Sequence, residues 1–138
     1  MPHFARAALE RSLPAHRIEY VHMPELGGLR KPRPDSINLG WRNVSFRGYA
    51  DYMQTDEFWR AIDRLTALPS RLAIMCAEAV PWRCHRSLVA DALVVRGVEV
   101  RHITGRSEPM RHSLTAFARV LISVGGDRIT YPADTLGL

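Results

Sequence analysis

Residues 71–103 read RLAIMCAEAVPWRCHRSLVADALVVRGVEVRHI, and this stretch decides the fold that the sequence predicts. Residues 71–76 form a short, nearly continuous apolar run, which is typical of a strand buried in a parallel sheet. Residues 85–96 repeat their apolar side chains at helical spacing and end before Gly97, which suits a helix stop. Residues 98–103 alternate and predict the next strand. Strand, helix and strand in this order favour a parallel α/β sheet.

Elements outside this stretch extend the same architecture. Alternation over residues 17–23 predicts a third strand of the parallel sheet. Two β-prone runs, 118–124 and 128–131, flank a glycine-rich turn and predict a C-terminal hairpin. Further helices are predicted over residues 3–13, 46–54 and 56–68. We therefore expect one α/β domain over residues 1–138: a Rossmann-like parallel sheet with flanking helices and the hairpin.

Length and composition exclude several classes of protein. With 138 residues, 46% hydrophobic and 24% charged, the chain matches one globular domain with its own core. No apolar run approaches the roughly 18 residues of a membrane-spanning helix, and residues 1–17 lack the apolar segment of a secretion signal. We expect a cytoplasmic protein without membrane association, and no cofactor is predicted. Homo-oligomerisation is left open.

Charge gives a weak indication of partners. The chain has 19 Lys and Arg against 14 Asp and Glu, a net charge of +5. An excess of positive charge favours anionic partners, which are either an anionic small molecule or a nucleic acid. Many enzymes are equally basic, so the balance of charge does not choose between these two.

In open α/β sheets, ligands bind beyond the carboxyl ends of the strands. The segments that follow the three predicted strands are therefore candidate binding segments. The first strand leads into a loop of proline, glycine and basic residues over 24–40, a length that is usual for functional loops. The second leads into residues 76–87, and the third ends at His102. We expect these three places to converge on one edge of the sheet.

Residues 76–87, CAEAVPWRCHRS, are the most informative part of this edge. A helix start with basic side chains attracts anions, and a cysteine in that field is a candidate thiolate nucleophile. The catalytic candidates are Cys76, Cys84, His85 and, as a general base, Glu25. The anion-binding candidates are Arg83, Arg86, Ser87, Arg30, Lys31 and Arg42.

The alternatives to this reading remain open. Each cysteine is also explained by ordinary core packing. The phosphatase loop, which needs Arg six residues after its cysteine, is excluded because Trp82 stands there. Neither the reaction nor catalysis itself is therefore assigned, and the predicted function is an anion-binding, enzyme-like site, with phosphate as the expected anion.

Two further functions compete with the anion site. Arginine residues interleaved with Trp41 and Phe46 over residues 30–47 are typical of single-stranded nucleic-acid binding, although a loop packed by its own aromatic side chains explains them as well. Zinc ligands are the second alternative, but the spacing of the candidates is unusual and no metal site is predicted. Those candidates are Cys76, Cys84, His85 and His102. Three other histidines are expected to face solvent: His3, His16 and His112.

Three stretches carry a family resemblance: VHMPELGGLRKP over 21–32, WRNVSFRGYADY over 41–52 and MCAEAVPWRCHRSLVADAL over 75–93. The chain resembles the uncharacterised bacterial family called domain of unknown function 488, and the CHRS run over 84–87 is the most specific element. The resemblance extends from His3 to about Pro132.

The resemblance implies a Rossmann-like α/β fold without an established activity, and an association with DNA repair that has no known mechanism. Members begin with a strand, a helix and a second strand carrying Asp-x-Arg, so the resemblance implies that this chain lacks those N-terminal elements. The residues that match the family pattern are Glu25, Gly27, Gly28, Arg30, Lys31, Trp41, Arg42, Cys76, Glu78, Arg83, Cys84, His85, Arg86 and Ser87.

Overall fold

The structure is a computed structural model that describes residues 6–28, 30–69, 71–75, 85–103 and 105–133. The helices in these ranges are α1 Arg6–Ser12, α2 Val44–Tyr52, α3 Asp56–Thr66 and α4 Arg86–Val95. The strands are β1 Arg101–His102, β2 Met110–Arg111, β3 Arg119–Leu121 and β4 Arg128–Thr130. Two 3-10 turns cover Pro14–His16 and Pro24–Leu26. Within the described ranges, no helix has both the length and the apolar character needed to cross a membrane.

Side-chain caps and a glycine mark the ends of the helices. The side chain of Asn43 caps α2, and the Thr55 hydroxyl accepts a hydrogen bond from Phe58 N–H at the start of α3. Gly97 follows α4 with a φ of 83°, a left-handed conformation that glycine adopts without strain. The helices predicted over 46–54, 56–68 and 85–96 are confirmed, with bounds displaced by no more than two residues.

The core lies between α2, α3, α4 and the C-terminal hairpin of β3 and β4. Strands β3 and β4 pair antiparallel with Val120 opposite Ile129, which confirms the predicted hairpin. Burial of each large apolar side chain contributes about 1.5 to 3 kcal/mol. The fully buried residues of this core include Tyr49, Phe58, Trp59, Ile62, Leu88, Ile129 and Tyr131.

The predicted Rossmann-like parallel sheet is wrong. The described residues form two separate two-stranded antiparallel sheets, β1 with β2 and β3 with β4, and no parallel pair. Residues 17–23 contain no strand, nor do residues 71–75 of the predicted strand 71–76. Only part of the predicted strand 98–103 forms, as β1, and it pairs with the segment that follows it in sequence.

A strand needs a partner for its backbone groups, and alternation in sequence indicates a preference without supplying that partner. The predicted strand at 17–23 begins on Arg17, whose φ of 59° is left-handed, and Ile18 N–H donates to Leu13 carbonyl to close the turn after α1. Apolar side chains of both missing strands are exposed, 48% for Leu72 and 47% for Val21. These segments therefore lack the sheet neighbours that would bury them.

The loop over residues 24–40 is held against α2 by one buried carboxylate. Asp51 accepts hydrogen bonds from Arg33 N–H at 2.8 Å, Ser36 hydroxyl at 2.6 Å and the Asn38 amide at 2.7 Å. Asn38 in turn accepts from the backbone N–H of Tyr131, just after β4. The long loop is therefore built into the core at its C-terminal half.

Candidate functional site

The start of α4 meets the loop over residues 24–40 through His85. Its Nε2 donates to the carbonyl oxygen of Leu26 at 2.8 Å, and its ring lies 4.5 Å from the ring of Tyr49. A β-carbon on Gly28 would come 2.8 Å from the other ring nitrogen, Nδ1. Glycine at this position lets the loop approach the histidine closely, so His85 joins two parts of the predicted site.

Arg30 is positioned by the same loop. Its guanidinium group lies 3.7 Å above the ring of Tyr52, and its Nε donates to Gly27 carbonyl at 3.2 Å. A β-carbon on Gly48 of α2 would overlap with the carbonyl oxygen of Arg30. The absent side chain at Gly48 therefore lets the loop lie directly on α2.

The two histidines near α4 share an electrostatic environment. Burial lowers the pKa of His85 below its ordinary value of 6.5, and the charges of Arg30 and Arg86 lower it further, against the opposing hydrogen bond to Leu26. Burial also lowers the pKa of His102, followed by the charges of His112 and Arg86. The field of Arg86 thus reaches the two histidines, and with them two of the three predicted loop ends.

Glu25 is engaged elsewhere. Its carboxylate forms an ion pair with Arg64 of α3 at 2.8 Å, while its backbone carbonyl accepts a hydrogen bond from Tyr52 hydroxyl. The geometry gives Glu25 the role of a link between the loop and α3.

The other anion-binding candidates are distributed unevenly. Ser87 lies in the first turn of α4 beside Arg86, and the backbone of Lys31 lies against Gly48. Arg42 is exposed and precedes the cap of α2. Three candidates lie outside the described residues: Cys76, Arg83 and Cys84.

A buried polar chain next to this site was not predicted from the sequence. Asp91 of α4 bonds to Nε2 of His112 at 2.7 Å, and Nδ1 of His112 bonds to Nε2 of His102 at the same distance. The side chain of His112 is only 9% exposed, so its predicted solvent-facing position is wrong. His16, in contrast, is exposed as expected. An aspartate among the apolar residues of α4 is the signal that could have revealed the chain, because buried carboxylates need donors.

Family comparison covers most of this site. The family model described as domain of unknown function DUF488 matches residues 1–93 of the 138. The chain belongs to this family. The predicted resemblance is thereby confirmed over residues 1–93, while comparisons with curated proteins and with solved structures give no match. The matched range of this DUF488 chain contains the loop and Asp91, whereas His102 and His112 lie beyond it.

Aromatic residues of the arginine-rich segment are used inside this DUF488 chain. The ring of Trp41 packs at 5.2 Å from Phe46, 4.9 Å from Phe117 and 5.5 Å from Tyr131, measured between ring centroids. Arg33 forms an ion pair with Asp35. Rings that pack edge-to-face on one another do not present a platform on which bases stack.

Metal ligation has no support in the part of this DUF488 chain that the structure describes. There, no three His, Cys, Asp or Glu side chains come together as ligands would. Of the four candidates for a zinc site, His85 donates to Leu26 carbonyl and His102 bonds to His112. The other two are Cys76 and Cys84, which lie outside the described residues.

Proposed function

We propose that this DUF488 chain binds a small anion, such as a phosphate group, at the N-terminal end of α4. The observation that carries the proposal is the contact between the loop that holds Arg30 and the helix start, where His85 bonds to Leu26 carbonyl and lies against Gly28. Arg30 from the loop and Arg86 from the helix both lower the pKa of His85, so their positive fields overlap at that residue. Positive charge at a helix start favours an anionic ligand.

The helix start adds its own attraction for an anion. His85 precedes α4 without capping it through its side chain, and the first turn holds no acidic residue. In contrast, Asn43 caps α2, and Thr55 caps α3 with acidic residues behind it. The first backbone N–H groups of any helix have no partner within it, and the helix dipole places partial positive charge there. Ser87 lies in that turn and offers a hydroxyl donor.

The proposed site is enzyme-like because Cys84 immediately precedes His85 in the sequence. A thiol near a helix start and arginine side chains has its pKa lowered and gains nucleophilic character. Iodoacetamide labelling of each cysteine as a function of pH, read by mass spectrometry, tests this part. We expect Cys84 to label at lower pH than Cys76, and labelling of Cys84 only above pH about 8.5 would remove the nucleophile.

Nucleic-acid binding is not proposed as a second function. Its sequence argument depended on Trp41 and Phe46 being available for stacking, and both pack against other rings. The remaining basic side chains support binding of a small anion equally well.

Phosphate binding tests the proposal directly. We would measure the melting temperature of the full chain with sodium phosphate and with sodium chloride at matched ionic strength. Phosphate is expected to raise the melting temperature, because a ligand that binds only the folded state stabilises it. Arg86→Gln should weaken phosphate affinity about tenfold, the equivalent of one charge-assisted hydrogen bond of about 1.4 kcal/mol.

The matched control is Arg60→Gln, an exposed arginine on α3. It removes the same charge and should leave phosphate affinity within about twofold, because screening weakens the effect of distant exposed charges. Equal losses in both variants, or equal responses to phosphate and chloride, would show that only general charge is involved and would overturn the proposal.

A further inference from the structure

Asp91 is the starting point of a chain of hydrogen bonds that leaves the core. Its side chain is fully buried. One oxygen, Oδ2, accepts from Tyr131 hydroxyl at 2.7 Å, while Oδ1 accepts from Thr115 N–H at 3.0 Å and from His112 Nε2 at 2.7 Å. Burial and the neighbouring carboxylate raise the pKa of Tyr131, so its hydroxyl keeps its proton and remains a donor.

These partners determine where the imidazole protons lie. A carboxylate only accepts, so Nε2 of His112 carries a proton and, in the neutral ring, Nδ1 has a lone pair. Nε2 of His102 lies 2.7 Å from that lone pair and must be the donor. The neutral ring of His102 then presents its own lone pair at Nδ1.

Local structure holds the two imidazoles in this arrangement. His102 ends β1 and His112 directly follows β2, and the backbone N–H of His112 donates to Val100 carbonyl at 2.7 Å. The rings meet edge to face with centroids 4.8 Å apart. His102 is only half-buried, so the chain of hydrogen bonds runs from a buried carboxylate to a ring that solvent reaches.

We propose that His102 is a general base that takes a proton at Nδ1 from an O–H group of the molecule that carries the bound anion. In this step the O–H bond breaks, its electron pair stays on the oxygen, and a new N–H bond forms at Nδ1. Asp91 and His112 are positioning residues that act through His102. The inference rests on the proposed anion site, because the anion places the O–H group next to the histidine.

Charge distribution supports this step. Protonation at Nδ1 makes His102 a cation whose Nε2–H still donates to His112, which donates to the carboxylate of Asp91. The buried carboxylate stabilises that cation through these two hydrogen bonds. Burial, and then any positive charge on His112 or Arg86, act in the opposite direction and lower the pKa of His102.

Anion binding and proton transfer are coupled through charge. A negative charge near His102 favours the protonated ring, so His102 becomes a stronger base when the anion is bound. This coupling predicts that phosphate raises the pKa of His102.

Nuclear magnetic resonance of the full chain tests the inference, with long-range proton–nitrogen spectra that report which imidazole nitrogen carries the proton. In the unmodified protein at pH 8, we expect the protons of His102 and His112 on Nε2. A proton on Nδ1 of His102 overturns the proposal. Asp91→Asn should lower the pKa of His102, because it removes the buried negative charge and retains the side-chain shape.

Two further variants make the result specific. Tyr131→Phe removes a neutral donor from the same carboxylate and should not lower the pKa of His102, so an equal fall in both variants would indicate general loosening and contradict the proposal. His112→Phe should allow His102 to populate both tautomers, and this variant carries the test if Asp91→Asn does not fold. A single Nε2 tautomer in His112→Phe overturns the positioning role.

Inorganic phosphate separates this inference from the proposed function. A rise in the pKa of His102 on adding phosphate supports both. If the tautomers are as assigned but phosphate has no effect, the anion site is refuted and His102 loses its substrate. If phosphate binds and shifts Arg86 resonances while the pKa of His102 is unaffected by Asp91→Asn, the anion site stands and the general base is refuted.

Discussion

Asp51 and Asp91 are two buried carboxylates with opposite roles. Each lies on a helix of the core, 4% and 0% exposed, and each accepts three hydrogen bonds. The donors to Asp51 all come from the loop over residues 24–40 and include an amide, a hydroxyl and a backbone N–H. The donors to Asp91 include His112, through which the network continues to His102.

The type of donor therefore distinguishes a carboxylate that only holds a loop in place from one that belongs to a proposed proton-transfer network. None of the donors to Asp51 gains or loses a proton near neutral pH, so that network fixes a loop and does nothing else. The network of Asp91 contains two imidazoles, side chains that can accept or release a proton. Burial and hydrogen-bond number, which are nearly the same for both, do not reveal the difference.

The largest effect is expected from Asp51→Ala. Three donors would lose a charged acceptor in the core, and the free energy of unfolding should fall by about 3 kcal/mol or more. Urea denaturation measures the loss. A loss below about 1 kcal/mol would mean that water replaces the carboxylate and that the loop is not held as the structure indicates.

Gly48→Ala should follow, with a loss of about 2 kcal/mol. The new methyl group would overlap with Arg30 carbonyl, and a backbone atom cannot rotate away. Alanine otherwise favours a helix by about 1 kcal/mol. Because Arg30 would be displaced, phosphate affinity should fall as well. An unchanged phosphate affinity would show that the position of the loop over residues 24–40 does not affect the proposed anion site.

Tyr131→Phe should cost about 1 to 2 kcal/mol, the value of one buried hydrogen bond to a charged group. The ring remains packed between Trp41 and Phe117, so no cavity forms. Urea denaturation gives the loss, and Tyr52→Phe is a control that removes a hydroxyl donating to a neutral acceptor, the carbonyl of Glu25. A larger loss in the control would show that the carboxylate of Asp91 does not depend on this donor.

The smallest effect concerns pH. The pKa values of His85 and His102 are lower in the folded chain than the ordinary 6.5, so the unfolded chain binds these protons more readily. Their contribution to stability is complete above pH 6.5 and decreases as pH falls through the lowered values. Melting temperatures at pH 7.5 and 5.5 should show this decline, and His85→Gln should reduce it. Asp51→Asn should leave the decline unchanged, since its donors do not titrate.

Helices were predictable because their signals are local. The cap at Thr55, the spacing of Phe58, Ile62 and Leu65, and the stop at Gly97 each concern neighbouring residues, and each is found in the structure. The predicted parallel sheet depended on distant partners. Residues 71–75 have the composition of a buried strand, but composition does not specify what pairs with it.

The site was predictable to a similar extent. Proximity of the loop to His85 followed from the rule on strand ends, although the parallel sheet behind that rule is not formed. The contact of His112 with Asp91 joins residues 21 positions apart through the β1–β2 pairing, which no local pattern indicates. His112 was accordingly assigned to solvent.

Tyr131 also joins parts of the chain that are synthesised seconds apart. Its backbone N–H reaches Asn38, 93 positions earlier, and its hydroxyl reaches Asp91, 40 positions earlier. A ribosome adding roughly 5 to 20 residues per second needs roughly 2 to 8 seconds to pass from residue 93 to this tyrosine. Throughout that interval Asp91 lacks the hydroxyl that Tyr131 donates to it, and Trp41 lacks the ring of Tyr131 against which it packs. The core therefore cannot be completed until Tyr131 has been made, and its apolar side chains remain available to other nascent chains during those seconds.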